Sequence, residues 1–170
     1  THHSMSLLAE AVRDEGTITG DYAAAAKLLE SVNSKWNWPP PMYRGFTPVY
    51  AHALVLAGET ERGRKVASSL LAVFDAEDVG RPEHWFGRER SAALIVLGKP
   101  DQAIDELAGN QRLNHWVRWW YLSELDPLYK VLRPDPRFQL LAAQAKKHRS
   151  EQRARLEEMR SNNEILRRGG

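Results

Sequence analysis

Ala93-Leu94-Ile95-Val96-Leu97-Gly98-Lys99-Pro100-Asp101-Gln102-Ala103 (residues 93–103) joins an apolar run to a polar one through a single glycine. The run before Gly98 has the spacing of a buried helix. A glycine at its end supplies the left-handed conformation that closes a helix. Pro100 suits the first turn of a new helix, where its missing N–H is not needed. Asp101 places a carboxylate where the helix dipole favours one. The stretch therefore reads as helix, turn, helix.

The same pattern occurs twice more. Gly20-Asp21-Tyr22-Ala23-Ala24-Ala25 continues to Leu29, and Gly58-Glu59-Thr60-Glu61-Arg62-Gly63 continues to Ala67 and Leu70. Each copy has a small residue five places after the glycine (Ala25, Gly63, Ala103) and an apolar one four places later (Leu29, Ala67, Leu107). The small residue lets two helices of a hairpin approach closely, and the apolar residues make the packing stripe. The glycines stand 38 and 40 residues apart (58 − 20, 98 − 58), a repeat period. Helices are expected over 5–18 with 21–32, 47–57 with 60–75, and 87–97 with 100–109. No segment alternates over strand length, so the fold class is all-α. Three helical pairs form a short solenoid over 5–133, and one long helix over 134–168 packs on the repeats at its start.

Residues 20–32 (GDYAAAAKLLESV), 97–109 (LGKPDQAIDELAG) and 57–71 (AGETERGRKVASSLL) resemble the second helix of tetratricopeptide repeats. The likeness covers residues 5 to about 110. The period is longer than the family's roughly 34 residues, so the repeats are degenerate. Residues 124–141 (ELDPLYKVLRPDPRFQLL) resemble the closing segment of C-terminal repeat regions in bacterial winged-helix regulators and nucleotide cyclases. There a short helix, Pro127 to Leu132 here, precedes a turn and a final helix. Asp135 caps the helix that Pro136 begins. The resemblance implies a non-catalytic protein–protein interaction module, scaffold or sensory, of a bacterial signalling or regulatory protein.

The connection Asn33 to Phe46 is long for a helical repeat and holds Trp36, Trp38, Pro39-Pro40-Pro41 and Tyr43. Two arrangements satisfy its aromatics. They fold over the first hairpin as a lid, or they form one wall of a recognition groove. Pro82-Glu83-His84-Trp85-Phe86 poses the same choice. In His115-Trp116-Val117-Arg118-Trp119-Trp120-Tyr121, spacing puts Trp119 with Leu122 and Trp116 with Trp120. At least one ring belongs to the core, and another, with Arg118, is expected on a concave surface. Trp and Arg are enriched in binding hot spots. The expected contacts for a protein or peptide partner are Trp36, Trp38, Tyr43, Arg44, Trp85, Arg88, Arg118 and Trp119.

From Phe138 the chain reads as one helix to about Arg167. Its apolar positions thin beyond Lys146 to Ala154, Leu156, Met159, Ile165 and Leu166. Three arrangements fit: packing along its own domain, a basic tail, or pairing with a second copy. The last is preferred because Leu156, Met159 and Leu166 keep a seven-residue rhythm with Asn163 at a core position. These three residues are the expected homodimer contacts. A small-molecule-sensing pocket lined by tryptophans is a further alternative.

The chain has no cysteine, which removes disulfides, thiol nucleophiles and thiolate metal sites. That fits cytoplasm or periplasm, with the cytoplasm preferred. No run approaches the roughly 20 apolar residues of a membrane helix. Thr1-His2-His3-Ser4 reads as a tag remnant, and no signal peptide is visible. A chain starting at Met5 is compatible with a piece of a longer protein. The net charge of +2 is uneven. From Lys146 onward there are eight Lys/Arg and four Asp/Glu, leaving 16 and 18 in the rest. Interleaved glutamates argue against nucleic acid as the partner of this basic run. His52, His84, His115 and His148 are scattered without ligand spacing. Asp75, Glu77 and Asp78 cluster where a helix ends, an unfavourable place for carboxylates. No catalytic motif and no cofactor site is read, and the protein is not expected to be an enzyme.

Overall fold

The computed structural model describes residues 2–35, 46–77, 86–113 and 119–161. Among these residues every regular element is a helix. They are α1 (His2–Thr19), α2 (Tyr22–Lys35), α3 (Phe46–Leu56), α4 (Thr60–Glu77), α5 (Gly87–Val96), α6 (Pro100–Arg112) and α7 (Trp119–Glu124). A 3-10 helix (Pro127–Leu132) and α8 (Pro136–Ser161) complete the order. Helix α1 begins within the four residues read as a tag remnant. None of these helices is long and apolar enough to cross a membrane.

The glycine turns have the expected geometry. Gly20, Gly58 and Gly98 take φ of 75°, 88° and 73°. At the second turn the Gly58 and Glu59 N–H groups donate to the Val55 and Leu54 carbonyls at 3.0 and 2.9 Å. Gly98 and Lys99 repeat this on Ile95 and Leu94 at 3.0 and 2.9 Å. Both turns thus satisfy the last carbonyls of the helix they end. Gly20 uses the simpler single bond, 2.9 Å to the Gly16 carbonyl.

Helices pack as α1 with α2, α3 with α4, and α5 with α6. The first helix of each pair also meets the pair before it: α3 touches α1 and α2, and α5 touches α3 and α4. Small residues set the spacing. A Cβ on Gly63 would stand 2.6 Å from the Ala51 carbonyl oxygen and 2.7 Å from Val55 Cγ2. A Cβ on Gly87 would stand 2.4 Å from the Glu106 carbonyl oxygen. Ala67 and Ala103 are fully buried.

The core has two parts. Leu29, Val49, Ala53 and Leu54 fill the space between the first two pairs. A larger cluster gathers Phe74, Phe86, Leu107, Trp119, Tyr129, Leu132 and Phe138. Phe74 stacks on Phe86 with centroids 5.0 Å apart. Arg90 of α5 spans neighbours on both sides, 2.7 Å from Asp75 and 3.0 Å from Glu106. It supplies a cation for one of the carboxylates that the end of α4 places unfavourably.

Gly63→Ala drives a methyl group into backbone that cannot yield. It should lower stability by about 1–3 kcal/mol, read by denaturant unfolding. Gly98→Ala strains a left-handed residue instead and should cost about 1–2 kcal/mol. Equal, negligible effects at both sites would contradict this packing.

Candidate functional site

The most unusual feature of the interior is an arginine. Arg13 of α1 is 0% exposed. Its Nη2 lies 3.0 Å from Asp126 Oδ1 and 3.1 Å from Asp14 Oδ1, and it donates to the Tyr121 hydroxyl at 3.0 Å. Tyr121 donates in turn to Asp14 Oδ2 at 2.8 Å. The group therefore ties α1 to α7 and to the residue that opens the 3-10 helix. Asp126 Oδ1 also accepts from the Leu128 N–H at 3.0 Å, capping that helix, and its carbonyl accepts from Arg133 at 2.9 Å. Burial alone would lower the Arg13 pKa, but Asp126, Tyr121 and Asp14 outweigh it and raise the value. Burial raises the Tyr121 pKa, so the phenol keeps its proton.

Among the described residues three buried polar atoms have no hydrogen-bond partner: Arg13 Nη1, His52 Nδ1 and Arg133 Nε. His52 stands on α3. Burial, and then the charge of Arg13, push its pKa from 6.5 down to about 3. Neutral imidazole is thus the folded form at neutral pH.

A second polar anchor lies one helix along. The Tyr129 hydroxyl, on the 3-10 helix, sits 3.0 Å from both Ser91 Oγ and the Arg88 carbonyl oxygen of α5. Ser91 and Tyr129 are both buried. Residues 121–129 therefore reach α1 through Asp126 and α5 through Tyr129. They thereby link the first helix of the first pair to the first helix of the third. Beyond them, Gln111 Nε2 donates to the Leu141 carbonyl at 2.9 Å and fixes the start of α8 on α6. A cavity of about 490 Å³ opens between α7 and α8, lined by Trp119, Ser123, Ala142, Lys146 and Arg149 among others.

Of the expected contacts, Trp36, Trp38, Tyr43, Arg44, Trp85 and Arg118 lie outside the described residues, as does Leu166. Arg88 is on α5 at the occupied face, its side chain 34% exposed and 2.7 Å from Glu89. Trp119 corrects its expectation. It is 2% exposed and sits 6.2 Å from the Phe138 ring, so it is core and not a partner contact. The arrival of α8 buries it, along with Leu122 on the same helical face. Leu156 is 41% exposed and Met159 partly so, both on the unburied half of α8.

Sequence reasoning missed Arg13, His52, Tyr121 and Asp126. Asp126-Pro127 repeats the Asp-Pro form of the Asp135-Pro136 cap, and that was the one local signal. Among the described residues no group of three His, Asp or Glu is placed to hold a metal ion. Compared with family models, curated proteins and solved structures, the chain matches none of them.

Asp126→Asn keeps the cap but leaves Arg13 buried with less compensation. It should destabilise by about 3–5 kcal/mol, the range for breaking a buried pair, measured by denaturant unfolding. A change below 1 kcal/mol would contradict the pairing. His52 gives a pH prediction. Its folded pKa is depressed, so its contribution is intact above pH 6.5 and is lost as pH falls toward about 3. Melting curves of wild type and His52→Leu should diverge between pH 7 and pH 4.5, the wild type losing more, by at most about 1.4 kcal/mol per pH unit. A constant difference would refute it.

Proposed function

We propose that the chain is a non-catalytic protein-interaction module, scaffold or sensory, built of degenerate tetratricopeptide-like hairpins. A bacterial signalling or regulatory protein is the setting that the closing segment favours. The observation that carries the reading is the seating of residues 119–133 on α1 and α5. The face made by those helices holds a helical protein segment through buried polar anchors, Asp126 on Arg13 and Tyr129 on Ser91. A surface able to do this in cis has the shape and chemistry to hold protein.

With that face occupied, a partner is held along its edge. Arg88 stands there on α5. The connections 36–45, 78–85 and 114–118 each lead into a following helix, whereas the glycine turns join helices within a pair. Those three connections carry Trp36, Trp38, Tyr43, Arg44, Trp85 and Arg118. Tryptophan, tyrosine and arginine are the residue types enriched in binding hot spots.

A second reading, a small-molecule sensor, is favoured by the cavity beside Trp119. Its alanines, with Lys146 and Arg149 against the single carboxylate of Glu124 in the lining, fit an amphipathic anion. Titration with a fatty-acid anion should then quench tryptophan emission, and unchanged emission counts against it.

Affinity capture with the immobilised chain, followed by binding curves for the retained protein, tests the leading reading. Arg88→Ala should melt within a few degrees of wild type and bind at least about fivefold more weakly, the effect of about 1 kcal/mol. Unchanged affinity at unchanged stability would remove Arg88 from the edge.

A further inference from the structure

Among the described residues two apolar surfaces stand exposed, one on the first helical pair and one near the end of the last helix. The first is a groove of about 470 Å³ between α1 and α2. Gly16, Ala24 and Ala25 make a floor of small side chains, and Leu28, 52% exposed, makes a wall. Ile18 is 81% exposed and follows Ala11 and Glu15 on one side of α1. Glu15 and Asp21 line the groove, and among the described residues no Lys or Arg does. The other side of this pair is filled: α3 lies against both α1 and α2. A hollow between paired helices, floored by small residues, is shaped for a helix.

The second surface is the part of α8 around Leu156 and Met159. Phe138, Leu141 and Ala145 are the buried stripe of this helix. Helical spacing carries that stripe on as His148, Gln152, Leu156 and Met159, all within an arc of roughly 80°. Of these, Leu156 is 41% exposed. Arg149 flanks the arc on one side and Arg155 on the other, with Arg153 and Arg160 next to Arg149. Pairing this helix with its twin would set arginines against arginines at both edges, and like charges at such positions repel. The charge pattern thus disfavours the symmetric pair and asks for a carboxylate-rimmed seat.

We propose that α8 of one copy docks into the α1/α2 groove of a second copy, head to tail. Leu156 and Met159 enter beside Leu28 and Ile18, and the flanking arginines meet Glu15 and Asp21. The two surfaces do not meet within one chain, since Leu28 and Leu156 are both exposed. Such an interface uses different patches on the two copies, so it closes into a ring or continues as a filament. It goes beyond the interaction role proposed above and does not depend on it.

Complementation of two blocked variants tests this. Leu28→Arg fills the groove with a cation but leaves α8 free to donate. Leu156→Asp with Met159→Asp spoils the helix but leaves the groove open. Both sites are at the surface, so folding is retained, which melting curves verify; Glu15→Lys is a second groove variant. Sedimentation velocity from micromolar to millimolar chain should show wild type growing beyond monomer, each variant alone monomeric, and their equimolar mixture forming a one-to-one dimer. Raising the salt should weaken that dimer. A wild type that stays monomeric overturns the proposal. So does a groove variant that still dimerises by itself, which means symmetric helix pairing, or a mixture that stays monomeric.

Discussion

The buried contact between Arg13 and Asp126 sets the shape of the rest. Removing two ions from water costs several kcal/mol each, and attraction offsets this only with close geometry and further hydrogen bonds. Arg13 has that geometry on one side, with Asp126 at 3.0 Å, Asp14 at 3.1 Å and the Tyr121 hydroxyl at 3.0 Å. Its Nη1 has no partner, and neither has His52 Nδ1 nearby. The net gain in stability is therefore small. What the contact supplies is a single seat, because any other position of the segment strands a buried charge.

That seat decides which surfaces remain for function. Asp126 ties the segment 119–133 to Arg13 of α1, and Tyr129 ties it to Ser91 of α5. Phe138 then follows onto Trp119 and Tyr129, their centroids 6.2 and 6.5 Å away. The start of α8 is fixed there, and among the described residues its second half is largely exposed.

The parts of the fold that depend on neighbours in sequence were legible. The Gly20, Gly58 and Gly98 turns need only a residue that accepts positive φ and a polar run to open the next helix, and helix limits fell within a few residues. The fit at Gly63 and Ala103 was legible too, because period 3.6 places the small residue on the facing side. The candidate site was not. Arg13 and Asp126 lie more than a hundred residues apart, and a charged residue in an amphipathic helix looks solvated until the partner is known. Trp119 failed in the opposite sense. A surplus of aromatics in one stretch invited a surface role, but α8 brought Phe138 to cover the ring. The poorly placed carboxylate Asp75 was likewise explained only by Arg90 from the next pair.

The central claim is that residues 119–133 and α1 are one cooperative unit locked by the buried ionic contact. Native-state hydrogen exchange measures this directly. Amides of Tyr121 to Leu132 and of the second half of α1 should open with the same free energy and the same denaturant dependence. Exchange of the 121–132 amides through a lower-energy opening, with α1 still protected, would contradict it.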